Sequence, residues 1–302
     1  MIRHLHHHQI DTKAWDRQLQ ASANASWYGT STALNAAAPG WNALVDEEGG
    51  AQMPLPWRRK FGITYLHQPF LIQHLGPYAP KASAGLAEGF IKALPGQYRY
   101  ADINLDGREV PELDGLRTEP RRNHVLALGA GAEAIHAGYS TNHRRSLRKA
   151  GQHGLLVEKA QESGRIAAFL EASEQFTRWK VDARQREAMR RVFRATEADG
   201  SGFGRMATEK GAPVAAGWFV VYGDRIIFLK GLASQRGRET GAMHALLHQV
   251  ITEFAARHAV FDLAGGNDPQ LARFYSGFGA EPVFYLRALM NRLPPVVRRI
   301  KP

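Results

Sequence analysis

Tyr275 stands in "ARFYSGFGA", and a phenol near the end of a short helix can hand a proton to a departing group. Asp262 falls in "AVFDLAG" and Lys230 in "IIFLKGLAS", each on an apolar run that reads as a strand. At those places the carboxylate could deprotonate or orient an amine, and the ammonium could hold an anionic substrate; a salt bridge explains either residue equally well. "RETGAM", residues 238–243, lies where a strand hands over to a long helix. A helix start presents unpaired N–H groups and the positive end of a dipole, so a phosphate fits there, and Gly241 lets backbone approach it. Finally, "YSTNHRRSLRKAGQHGLLVEKA", residues 139–160, puts Arg144, Arg145, Arg148 and Lys149 on about two helical turns. That face can bind an anion or simply be solvated.

These residues need a scaffold, and the chain is long enough for one: 302 residues, 44% of them hydrophobic, as one large domain or two ordinary ones. Lys and Arg number 39 against 28 Asp and Glu, a formal charge of +11, so anions are the natural partners. No cysteine occurs, which excludes thiol catalysis, disulfides and cysteine-ligated metals. No apolar run reaches the length of a membrane span, and the N-terminus has no cleavage pattern, so a cytoplasmic location is expected. "HLHHHQ" at residues 4–9 reads as a fraying terminus in preference to a metal tract.

Along the first half, "WNALVDEEGGAQMPLPW" reads as a hairpin turning at 48–50, "ITYLHQPFLIQHLG" as a strand region broken at Pro69, "SAGLAEGFIKAL" as a helix, and "YRYADINL" and "NHVLAL" as strands. The second half repeats that grammar. The basic helix leads to the strand "GLLVEKA" and two helices, 163–179 and 183–198; three antiparallel strands then turn at Lys210-Gly211 and Gly223-Asp224. A long helix from residue 238, the strand "AVFDLAG", a short helix and a last strand close the chain. The expected fold class is mixed α/β: two domains, 1–135 and 136–302, each a mostly antiparallel sheet flanked by helices.

"RETGAMHALLHQVITEFA…FDLAGGNDPQLARFYSGFGAEPVFY" resembles the carboxyl half of the GNAT N-acyltransferase fold, including its "N…A…Y…GF" segment at Asn267, Ala272, Tyr275, Phe278 and Gly279. The basic stretch and "ALVDEEGGAQMPLP…YLHQPFLIQHLG" resemble FemAB-like proteins, in which two GNAT-like domains stand in tandem. The resemblance implies that Arg238, Thr240, Gly241, Ala242 and Asn267 lie on the side that binds coenzyme A, and that Tyr275 protonates the leaving thiolate. Met243 departs from the family loop, which has a small residue there.

The chemistry so implied is transfer of an acyl group from an acyl-CoA donor such as acetyl-CoA to an amine acceptor, with no metal. The alternatives are FemAB-type transfer from aminoacyl-tRNA to a cell-wall precursor, and a non-catalytic GNAT scaffold that binds an anionic partner. Sequence-specific DNA binding is not expected, because the basic helix lacks interleaved aromatics and a groove-reading motif.

Overall fold

The computed structural model describes residues 1–81, 83, 85–107, 115–160 and 162–294. The chain forms two compact units, one of Met1–Arg121 with the chain from Phe284 onward, the other of Arg122–Val283.

The first unit contains β1 (Ile2–Leu5), α1 (Thr12–Gln20), α2 (Ser31–Ala37), β2 (Asn42–Asp46), β3 (Ala51–Leu55), β4 (Trp57–Lys60), β5 (Ile63–His67), α3 (Leu86–Lys92) and β6 (Tyr98–Leu105). Strands β1, β2 and β3 form an antiparallel sheet. The N-terminus therefore departs from the fraying segment expected of it. Ile2 to Leu5 pair with Asp46 to Ala43, and the His7 backbone donates to Asn42 Oδ1 at 3.0 Å. Helix α1 forms because Asp11 accepts from the Lys13 and Ala14 amides, and because Trp15 and Leu19, four residues apart, share one buried face. The helix expected over 83–94 is seen as α3, with position 84 outside the described residues. Strand β5 runs parallel to β6, and β6 is antiparallel to the last strand, β13 (Glu281–Asn291).

The second unit receives the chain partway along β7 (Leu116–Ala127). It contains α4 (Ala132–Ala137), α5 (Thr141–Gln152), β8 (Leu156–Ala160), α6 (Ser163–Glu171), α7 (Glu174–Arg178), α8 (Ala183–Ala198), β9 (Gly202–Glu209), β10 (Ala212–Tyr222), β11 (Arg225–Ala233), α9 (Gln235–Thr240), α10 (Ala242–Phe254), β12 (Val260–Asp262) and α11 (Pro269–Ser276). Its strand order is β7-β12-β11-β10-β9-β8, antiparallel except between β11 and β12. Among the described residues each unit has one parallel pair, and in each the connection between the paired strands carries helix, as a parallel crossover requires.

Two expected helices are divided. The stretch 163–179 breaks where Ser173 accepts from the Gln175 amide and starts α7 as a separate turn. The long helix breaks at Gly241, whose φ of 78° closes α9 and opens α10. Around the sheet, alternation sorts side chains onto two faces. Trp218 of β10 stacks on Phe193 of α8, while its neighbour Phe219 joins the cluster packed with Leu246, Leu247 and Val250 of α10.

Candidate functional site

Strands β11 and β12 pair over only three positions, Arg225 with Val260, Ile226 with Phe261, and Ile227 with Asp262. β11 runs on to Ala233, whereas the chain leaves β12 after Asp262, so beyond Ile227 there is a gap in the ladder between the two strands.

A bulge beside the gap decides what faces it. The β10–β11 register passes from Trp218–Lys230 to Phe219–Phe228, leaving Leu229 as the extra residue on β11. Lys230 and Phe228 are two apart and would ordinarily share a face; the extra residue turns them to opposite ones. Phe228 stacks on Phe219 on the α10 face, and Lys230 Nζ lies 4.3 Å from the Trp179 ring and 5.8 Å from that of Phe176, beside α7. The two rings favour the ammonium, but burial outweighs them and brings the Lys230 pKa down to about 8. The ordinary value for this amine is higher, so the unfolded chain binds more protons above pH 8, and stability rises as pH climbs from about 8 toward the ordinary lysine range. Competitive labelling with acetic anhydride over pH 7–11 is expected to return a midpoint near 8 for Lys230; a midpoint at the ordinary lysine value would show an amine open to water.

Asp262 sits where the chain leaves the sheet, and both its oxygens are engaged. Oδ1 accepts from Asn123 Nδ2 and the Ala264 amide, each at 2.8 Å, and Oδ2 from Arg225 Nη1 at 2.9 Å. Asp262 is 4% exposed. The Asn123 side chain also accepts from the Gly265 amide, so these bonds hold the first turn of chain beyond β12. Asn267 accepts the Arg122 amide at 2.9 Å, tying the same segment to β7.

Tyr275 of α11 reaches this segment from the other side. Its ring belongs to the buried cluster that includes Leu263 and Phe278, lies 5.9 Å from the ring of His124, and would be 3.9 Å from a Cβ at Gly265, which Leu271 would meet first at 3.6 Å. Burial, and secondarily the Asp262 carboxylate, push its phenol well above the ordinary value. A phenol so placed keeps its proton at neutral pH and can serve as an acid, not a base.

His124 is the neighbour that the sequence reading missed. It is 2% exposed, its Nδ1 meets Gly265 O at 3.1 Å, and the glycine at 266 exists to admit its ring. The "GG" of "FDLAGGN" was the available signal, but its partner lies on a strand 142 residues earlier (266 − 124).

The turn at 238–243 is not an open loop. Arg238 and Thr240 are within α9; Arg238 donates to Ala233 O at 3.0 Å, and the buried Thr240 hydroxyl donates to Arg236 O at 2.9 Å. Ala242 is buried, and Gly241 serves the approach of α5, since a Cβ there would lie 2.7 Å from Ser146 O. Of the basic residues on α5, Arg144 donates to Ala137 O and Tyr139 O, while Arg145, Arg148 and Lys149 are exposed. Tyr275 and Asp262 are therefore together, Lys230 is on the other face of the sheet, and the α5 cations lie on a separate surface. Among the described residues no group of three or more His, Asp or Glu is placed to hold a metal ion, and no helix is long and apolar enough to cross a membrane.

A family model described as an acetyltransferase (GNAT) domain matches residues 137–270, less than half of the chain. The fold is GNAT-like and FemAB-like. Among solved structures the chain is similar to FemX, with 11% identity, a TM-score of 0.67 and 99% of each chain covered. It is also similar to a tandem GNAT protein from the clavulanic acid biosynthesis pathway, solved without AcCoA, with 14% identity, a TM-score of 0.51 and 97% of this chain and 99% of that one covered. A third similar structure is L-PGS from Bacillus licheniformis, with 12% identity, a TM-score of 0.53 and coverage of 96% and 94%. No curated protein matches the chain.

Proposed function

We propose that this protein is an N-acyltransferase that moves an acyl group from an activated thioester or ester to an amine at the gap between β11 and β12. The observation that carries the reading is the three-residue pairing of those strands, with the buried Tyr275 close enough to feel the charge of Asp262, the residue at which that pairing ends. In this reading the β11 backbone beyond Ile227, which has no β12 partner in the ladder, holds the carbonyl oxygen, and the Tyr275 phenol protonates the leaving group. Asp262 keeps the chain beyond β12 in place through Asn123 and Arg225, and Lys230 holds an anionic group of the acceptor from the α7 face. Addition of the amine to the carbonyl forms the C–N bond; collapse breaks the bond to sulfur or oxygen, the leaving atom takes the phenol proton, and the amine proton passes by way of water to restore the phenol.

Two donors fit this chemistry. Acyl-CoA is the usual partner of a GNAT domain. The contact of Gly241 with Ser146 favours the second, an ester donor of the aminoacyl-tRNA type, because α5 covers the turn on which a pyrophosphate would rest. The net charge of +11 suits either polyanion. The test supplies labelled acetyl-CoA and labelled aminoacyl-tRNA in separate reactions with a panel of amines. Transfer from one donor alone is expected. Failure to transfer from both, with no binding of either, would remove the enzymatic reading.

A further inference from the structure

Helices α5 and α10 and the start of β8 enclose an open cleft of about 910 Å³. β8 is the edge strand, four positions from β12 in the sheet order, so the cleft is separate from the gap between β11 and β12. Its two sides differ in chemistry. Arg144, Leu147 and Arg148 of α5, at spacings of three and four, share one helical face toward it. Leu156 and Val157 of β8 add apolar surface, and Leu156 is 62% exposed. His248 of α10 completes the polar side.

The donors are prepared for an anion. Arg144 is held by two carbonyls, Ala137 O at 3.2 Å and Tyr139 O at 2.5 Å, so little side-chain freedom remains to be lost on binding. Arg148 is exposed and makes no ion pair among the described residues. The Tyr139 hydroxyl and His248 Nδ1 lie 3.3 Å apart, a hydrogen bond that fixes the orientation of the imidazole at the cleft. Two guanidinium groups beside an imidazole exceed what one carboxylate needs and suit the oxygens of a phosphate. Glu158, also at the cleft, is exposed on β8, the strand that carries the apolar wall. That wall is aliphatic, so it offers no stacking platform for a nucleobase.

We infer that this cleft binds a small amphiphile carrying a phosphate ester, with the phosphate against Arg144, Arg148 and His248 and the apolar part against Leu147, Leu156 and Val157. Such a group can come from a soluble phosphate ester or from the headgroup of an anionic phospholipid, and the two sources are separable.

Calorimetric titration with hexyl phosphate, inorganic phosphate and hexanol tests both halves of the site, alongside sedimentation with phosphatidylglycerol and phosphatidylcholine vesicles. Hexyl phosphate is expected to bind roughly tenfold or more tighter than inorganic phosphate, because several methylenes leave water. Arg148→Gln is expected to weaken it about tenfold, and Leu156→Ser by about threefold. Arg184→Gln removes the same charge from an exposed site on α8 and is expected to leave binding unchanged. Binding of hexyl phosphate without phosphatidylglycerol vesicles assigns a soluble ligand; sedimentation with phosphatidylglycerol and not phosphatidylcholine, lost in Arg148→Gln, assigns the headgroup. The substituted residues are at the surface, and thermal unfolding by circular dichroism checks that each variant folds. The inference is overturned if no probe binds, if inorganic phosphate binds as tightly as the hexyl ester, or if Arg184→Gln loses as much as Arg148→Gln. None of these measurements depends on acyl transfer, so their outcome and that of the acyltransferase test are independent.

Discussion

Tyr275→Phe lowers turnover by roughly 10²- to 10⁴-fold while donor affinity stays within about twofold, in single-turnover assays with whichever donor proves active. The substitution keeps the ring in the buried cluster that includes Leu263 and Phe278 and removes only the hydroxyl, so a loss of rate is a loss of chemistry. Because burial raises the phenol pKa, the wild-type rate shows no alkaline fall from this group within the ordinary tyrosine range. A substrate with a better leaving group is expected to suffer less from the variant, since it needs less proton donation. Full turnover in Tyr275→Phe would assign the residue to packing, and a loss confined to KM would assign it to binding.

Much of the fold was readable because it depends on neighbours in sequence. Lys210 and Gly211 both adopt positive φ, 50° and 80°, and a two-residue turn of that kind between alternating apolar runs announces a hairpin. Pro269 at the start of α11 and Asp268 as its cap were equally local signals. The break at Gly241 was not local: the glycine is demanded by the Ser146 carbonyl of another helix, and the same residue was open to being read as a ligand-facing one. The same limit applies to the gap. "IIFLKGLAS" and "AVFDLAG" are both apolar runs, and nothing in them states that pairing stops after three residues or that Leu229 bulges and turns Lys230 to the α7 face. Tyr275 and Asp262 were legible as chemically capable residues, while the Asn123–Arg225 bonds that engage Asp262 required the fold to bring distant strands together.

Gly266→Ala is expected to cost about 2–4 kcal/mol of stability, measured by urea unfolding, and to depress acyl transfer further than that loss explains. Its φ of 134° is one that L side chains rarely adopt, and a Cβ there would lie 2.1 Å from His124 Nδ1. His124 is 2% exposed and its Nδ1 meets Gly265 O, so the ring has nowhere to retreat without releasing the segment that follows β12. That segment carries Gly265, where a Cβ would lie 3.9 Å from the Tyr275 ring, and the His124 ring itself is 5.9 Å from that of Tyr275, so a shift there misplaces the acid relative to the leaving atom. His124→Ala separates the two causes of the loss. Alone it leaves a cavity and is destabilising; combined with Gly266→Ala it removes the clash and keeps the backbone strain. The double variant is therefore expected to be more stable than the sum of the single losses by about 1 kcal/mol or more. Strict additivity would mean that strain alone requires the glycine, and that His124 does not set the position of the segment beside Tyr275.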